Sequence, residues 1–170
     1  YFCFMKFSDI VGQNHLKNHL VNSVQKGRIP HAQLFIGPEG SGTLSMALAY
    51  AQYIICNNKG SENEGGSTGC NLKFDHLQHP DLHFVYPVAT TDSIKSNATS
   101  DDFLGTWIDF LKETPYGSVN DWYEAIGIQK KQGNISVHEA ASILKKLILK
   151  PFEGGYKVMI IWMAEKMNTE

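Results

Sequence analysis

Residues 37–44, "GPEGSGTL", stand where a short apolar run ends and a helical pattern begins. The chemistry of such a place is phosphate binding. A loop spelled G-x-x-x-x-G-K-[ST] closes backbone N–H groups around phosphates; its lysine reaches the β and γ phosphates and its hydroxyl ligates magnesium. Here Gly37 and Gly42 hold the two glycine positions, with Gly40 and Ser41 small between them. Thr43 stands at the lysine position and Leu44 at the hydroxyl position, while Glu39 adds negative charge where an anion would approach. The loop keeps its outline and lacks its ligands. Taken alone, it reads more simply as a glycine turn than as a nucleotide site.

Other candidate chemistry is thin. The seven histidines are scattered, and His31 and His83 read as packing or rim residues. Lys145, Lys146 and Lys150 suit the C-terminal end of their own helix as well as they suit a phosphate backbone. No Ser-His-Asp or paired-carboxylate arrangement occurs. A net charge of -2 supplies no field that would draw nucleic acid to the whole domain. No apolar run is long enough to span a membrane. The opening "YFCFMKF" is too short for a signal peptide, and Met5 is a possible start that would leave Tyr1–Phe4 outside the native chain. Three cysteines, an odd number without a secretion signal, point to a reducing cytoplasm.

The elements that must position the loop follow from periodicity. Leu16, Leu20, Val21 and Val24 recur at helical spacing before Gly27 and Pro30. "AQLFIG", residues 32–37, reads as a buried strand, and Leu44, Ala47, Leu48, Ala51 and Ile55 mark the helix after the loop. Residues 57–70 form a polar, glycine-rich loop; "LHFVYPV", 82–88, reads as a second strand. Residues 89–134 predict an insert with two short helices near 102–113 and 119–126. Its aromatics, Phe103, Trp107, Phe110, Trp122 and Tyr123, are expected to fold back as a satellite core, with a partner-binding surface the alternative. Ser136 and Glu139 predict a capping box, followed by a buried stripe of Ala140, Ile143, Leu144 and Leu147. "YKVMIIWM", 156–163, reads as a third strand covered on both faces. With 42% apolar residues and strand, helix, strand, helix, strand, the chain predicts a three-layer α/β fold around a parallel sheet.

Four stretches resemble the clamp-loader subunits of bacterial DNA polymerase III, of the AAA+ class. They are "FSDIVGQ" from Phe7 to Gln13, "HAQLFIGPEGSG" from His31 to Gly42, "HPDLHFV" from His79 to Val85, and "EGGYKVMIIWMAEKMN" from Glu153 to Asn168. The resemblance implies a P-loop NTPase fold carrying a largely helical insert. In ATP-hydrolysing members the last of these strands ends in two acids; here Trp162 and Met163 occupy those positions, and Ala164 and Glu165 follow. Loss at both motifs makes the chain similar to the non-hydrolysing, delta-prime type. That implies a scaffold that helps load the sliding clamp onto primed DNA, with no intrinsic activity and no cofactor. The partners implied are the gamma/tau motor subunit, delta, the clamp and DNA. The arginine this type donates to a neighbour's ATP site is expected beyond residue 170, as are the lid and collar. The alternative is a gamma/tau-like or divergent P-loop ATPase that still binds nucleotide, drawing on a cation such as Lys17 or Lys166.

Relatives of this type commonly carry a four-cysteine zinc module after the loop's helix. Cys56 and Cys70 match the first and last ligands, but Glu64 and Ser67 fall at the middle positions. Zinc needs four N or S ligands, and the spacing of His76 and His79 matches no common site. Zinc is not expected; the reading is a vestigial loop with one buried and one exposed thiol.

Overall fold

The computed structural model describes residues 6–57, 68–153 and 155–167. Helix α1 spans Asn14–Gln25 and α2 spans Thr43–Cys56. Twelve residues of α2 are buried, on every side of the helix. Its sequence, "TLSMALAYAQYIIC", is apolar nearly all round, so it forms the central rod of the fold. Helix α3, Thr68–Asp75, leads into strand β1, Leu82–Val85. Helices α4, Leu104–Glu113, α5, Val119–Ala125, and α6, Val137–Ile148, precede strand β2, Val158–Ile161. The strands pair in parallel from Leu82↔Val158 to Val85↔Ile161. Backbone bonds from Val158 N to Asp81 O and from Trp162 N to Val85 O, each 2.8 Å, extend the ladder at both ends.

The insert is clasped at its base. Val88 and Asn134 exchange two 3.0 Å backbone bonds, closing residues 89–134 into one lobe. Its aromatics do not form a satellite. Trp107 and Trp122 are completely buried, and their rings meet edge to face at 5.0 Å. Tyr86, just past β1, stacks on Trp107 at 4.1 Å, and Trp162, just past β2, lies 5.3 Å from it. Trp122 Nε1 donates to Pro87 O at 2.8 Å, and Tyr86 Oη donates to Ser100 O at 2.6 Å. Burial pushes the Tyr86 phenol far up, so it stays a neutral donor. Lobe and domain share one core.

Three expectations are corrected. Residues 32–37 form no strand and pair with none among the described residues, and Leu34 and Ile36 are 77% and 84% exposed. A run of apolar residues becomes a strand only when a second backbone takes its N–H and C=O groups. Only Phe35 turns inward, its ring 6.3 Å from Tyr50. The described sheet therefore has two strands. Strand β2 is not covered on both faces: Ile160 is buried while Ile161 is exposed.

The third correction concerns α6. Ala140, Leu144 and Leu147 are exposed, and Glu139 is its one buried residue. The capping box is half made: Ser136 Oγ accepts from Glu139 N at 3.4 Å, but the Glu139 carboxylate turns away. Its Oε2 accepts from Ser100 N at 2.7 Å, pinning α6 to the insert. Lys146, paired with Asp101, holds the far end. The helix is fixed by polar contacts rather than by its apolar stripe.

Two outcomes follow. Trp107→Ala should lower unfolding free energy by about 3–5 kcal/mol in urea titration, because the cavity opens between both strand ends and the lobe. Burial raises the Glu139 pKa above its ordinary 4.5, against the lowering effect of the Ser100 bonds. Below pH 4.5 the carboxyl is protonated in both states; above it the unfolded chain ionises first, so stability falls as pH rises through the raised pKa. Glu139→Gln should flatten that slope in thermal melts taken from pH 4 to pH 7.

Candidate functional site

The glycine loop is folded onto itself. Gly40 and Gly42 sit at φ +76° and +81°, the left-handed region that glycine enters without strain. Ser41 N donates to Pro38 O at 3.1 Å, and α2 begins at Thr43 with Gly42 as its N-cap. At Gly37 an added Cβ would lie 2.5 Å from Ser41 Oγ and 2.8 Å from the Thr43 methyl. At the lysine position, then, a short side chain lies back on the first glycine. Leu44, at the position of the magnesium-ligating hydroxyl, is buried in the core.

The insert touches this loop at Gly42 and Glu39 and the first turn of α2 at Ser45, while residues 37–41 stay exposed. A Cβ on Gly42 would come within 2.8 Å of the Tyr116 ring. The wholly buried Ser45 donates its hydroxyl to Pro115 O at 2.6 Å. Val119 N, at the start of α5, donates to Glu39 Oε1 at 3.3 Å. Glu39, which would repel an anion, thus faces a helix N-terminus of the same chain, where its charge is favourable. Gly117 turns tightly, its N–H bonded to Thr114 O at 2.8 Å, and a Cβ there would strike Phe110 at 2.7 Å.

Phe110 carries the connection onward. Its ring is 6.0 Å from Trp162, the residue standing at the first acid position of the second motif. Met163, at the second, adopts φ +57° and packs against the core. The structure therefore gathers Gly37, Gly40, Ser41, Gly42, Thr43 and Leu44 at one place. Trp162 connects to them through Phe110, on which Gly117 lies next to Tyr116. Of the cations considered for the loop, Lys17 instead donates to Ile10 O, and the Lys166 backbone bridges Met163 and Ile135. A cleft of about 420 Å³ between α4 and α5 is lined by Asp109, Glu113, Asp121 and Glu124 and by no loop residue, so it repels phosphate.

Cys56 and Cys70 are both buried and joined as a disulfide, with Cα atoms 5.5 Å apart. This corrects the expectation of one buried and one exposed thiol: the end of α2 and the start of α3 bring the two together. Glu64 and Ser67 lie outside the described residues, as does Cys3. No group of three or more His, Cys, Asp or Glu residues suits a metal among the described residues.

The role of "HPDL" is not evident from residue types alone. Asp81 is buried, and its carboxylate accepts from Phe152 N at 2.7 Å and Glu153 N at 3.1 Å, fixing the turn that feeds β2. His79 Nδ1 accepts from Asp81 N at 3.1 Å, which leaves the ring proton on Nε2, facing Glu153 Oε2 at 3.2 Å. The Lys73 ammonium beside Glu153 holds that carboxyl below the usual range. An aspartate directly after a His-Pro pair is the available signal, and its work is architectural.

Two parallel strands, with helices packed around them and a glycine loop opening the most buried helix, make this a mixed α/β domain. The chain belongs to the DNA polymerase III, delta subunit family, whose model matches residues 12–170. It is 40% identical over 68 residues to the DNA polymerase III subunit delta' of Bacillus subtilis (strain 168), covering 40% of this chain and 20% of that protein. It is 38% identical over 53 residues to the tau subunit of the same organism, covering 31% of this chain and 9% of that one. With the tau subunit of Escherichia coli (strain K12) it shares 44% identity over 50 residues, 29% of this chain and 8% of that protein. The matched stretches thus span a fifth or less of these relatives.

The contact between insert and loop predicts coupling. Gly42→Ala should cost about 1–2 kcal/mol from the left-handed backbone alone, and more from the Tyr116 ring. In a double-mutant cycle read by urea unfolding, Tyr116→Ala should recover the second part; strictly additive losses would show that the ring and the loop are not in contact.

Proposed function

We propose that this chain is a non-hydrolysing, delta-prime-like subunit of the DNA polymerase III clamp loader, helping to load the sliding clamp onto primed DNA. In this reading its full domain has the three-layer AAA+ form of the P-loop NTPases. It works in the cytoplasm beside the gamma/tau motor subunit and delta, contributing a rigid surface rather than turnover. The reducing cytoplasm would return Cys56 and Cys70 to adjacent buried thiols. No cofactor is required.

The observation that carries the reading is the paired loss. Thr43 lies on Gly37 where a lysine would reach outward, and Trp162 is embedded among rings where a magnesium-binding acid would stand. Hydrolysis needs both a phosphate clamp and a metal site. Membership in the delta subunit family agrees with this, although gamma/tau relatives are also similar in sequence.

The test combines turnover and association. The chain alone should show no ATP hydrolysis above blank, and it should co-elute with a gamma/tau motor subunit on size exclusion. ATP turnover that disappears on Thr43→Ala would favour the divergent ATPase. Separate elution from the motor subunit at micromolar concentration would count against the scaffold role.

A further inference from the structure

We propose that residues 115–119 form a built-in plug over the glycine loop, so that the insert occupies the approach a polyphosphate would use. The proposal rests on reading the loop as a degenerate nucleotide site and says what now fills it. Three contacts from different atoms meet there: the Tyr116 ring over Gly42, Pro115 O on Ser45 Oγ, and Val119 N on Glu39. A phosphate bound at the start of α2 would need its oxygens within about 3 Å of the first N–H groups. Gly42, the residue just before them, is already buried under the ring.

The plug is held without a ligand. Pro115 restricts its own φ, and Thr114 Oγ1 donates to Phe110 O at 2.8 Å to finish α4. Gly117 lies on Phe110, whose ring is in the aromatic core. On the other side Ser118 and Asp121 cap α5 reciprocally, with Ser118 N to Asp121 Oδ2 at 2.7 Å and Asp121 N to Ser118 Oγ at 3.2 Å. The turn is therefore anchored at both ends on packed helices. It follows that restoring the lysine alone would not restore the site, because the approach would still be filled.

The experiment is calorimetric titration with Mg·ATP and with inorganic triphosphate on four forms of the chain. These are native, Thr43→Lys, Tyr116→Ala with Ser45→Ala, and all three substitutions together, each checked for a native near-UV spectrum. The expected result is no binding at millimolar ligand for native and for Thr43→Lys, and at least tenfold tighter binding for the triple variant. Equal binding by Thr43→Lys and the triple variant, or none by the triple variant, overturns the plug and leaves the non-hydrolysing reading intact. Tight binding by the native chain overturns that reading itself. A second measurement needs only the half-exposed Tyr116: in Tyr116→Ala the amides of residues 40–44 should exchange hydrogen at least tenfold faster. Unchanged exchange there also overturns the plug.

Discussion

Everything in this structure hangs on a buried meeting of aromatic rings from the two strand ends and the insert. Tyr86 and Trp162 come from the ends of the two paired strands; Trp107, Phe110 and Trp122 come from the insert. Each ring buries a large apolar area, and their tilted and edge-to-face arrangement adds about 0.5–1.5 kcal/mol per pair beyond that area. The polar edges are mostly answered, as Trp122 is by Pro87 O and Tyr86 by Ser100 O. A two-stranded sheet is marginal by itself. Here the insert supplies the packing that the short strands cannot, and so it belongs to the core.

That packing determines what the loop can do. Phe110 touches the core on one side and Gly117 on the other, so the turn carrying Pro115 and Tyr116 is delivered to the glycine loop by the same ring that meets Trp162. The tryptophan at the end of β2 closes one face of the cluster, against Trp107 and Phe110.

What was legible in the sequence was local. The periodicity of α1, α2, α4 and α5 follows from spacing and turn residues. Residues 32–37 misled because apolarity says only that a segment is fit for burial, whereas a strand needs a partner from elsewhere in the chain. The α6 stripe misled for the same reason. Its true anchors, Glu139 on Ser100 and Lys146 on Asp101, pair residues far apart in sequence. The covering of Gly42 by Tyr116 had no local signal, since neither residue carries a pattern that names the other. The same holds for Asp81, whose partners are backbone N–H groups of any sequence.

The central claim is that the insert and the domain are one cooperative unit. Native-state hydrogen exchange with increasing denaturant tests this most directly, because it reads the opening free energy of each segment separately. The account predicts that amides of α4, α5, α2 and β2 converge on the same opening free energy as the whole chain unfolds. An insert that opens at clearly lower free energy, while α2 and the strands stay protected, would contradict it.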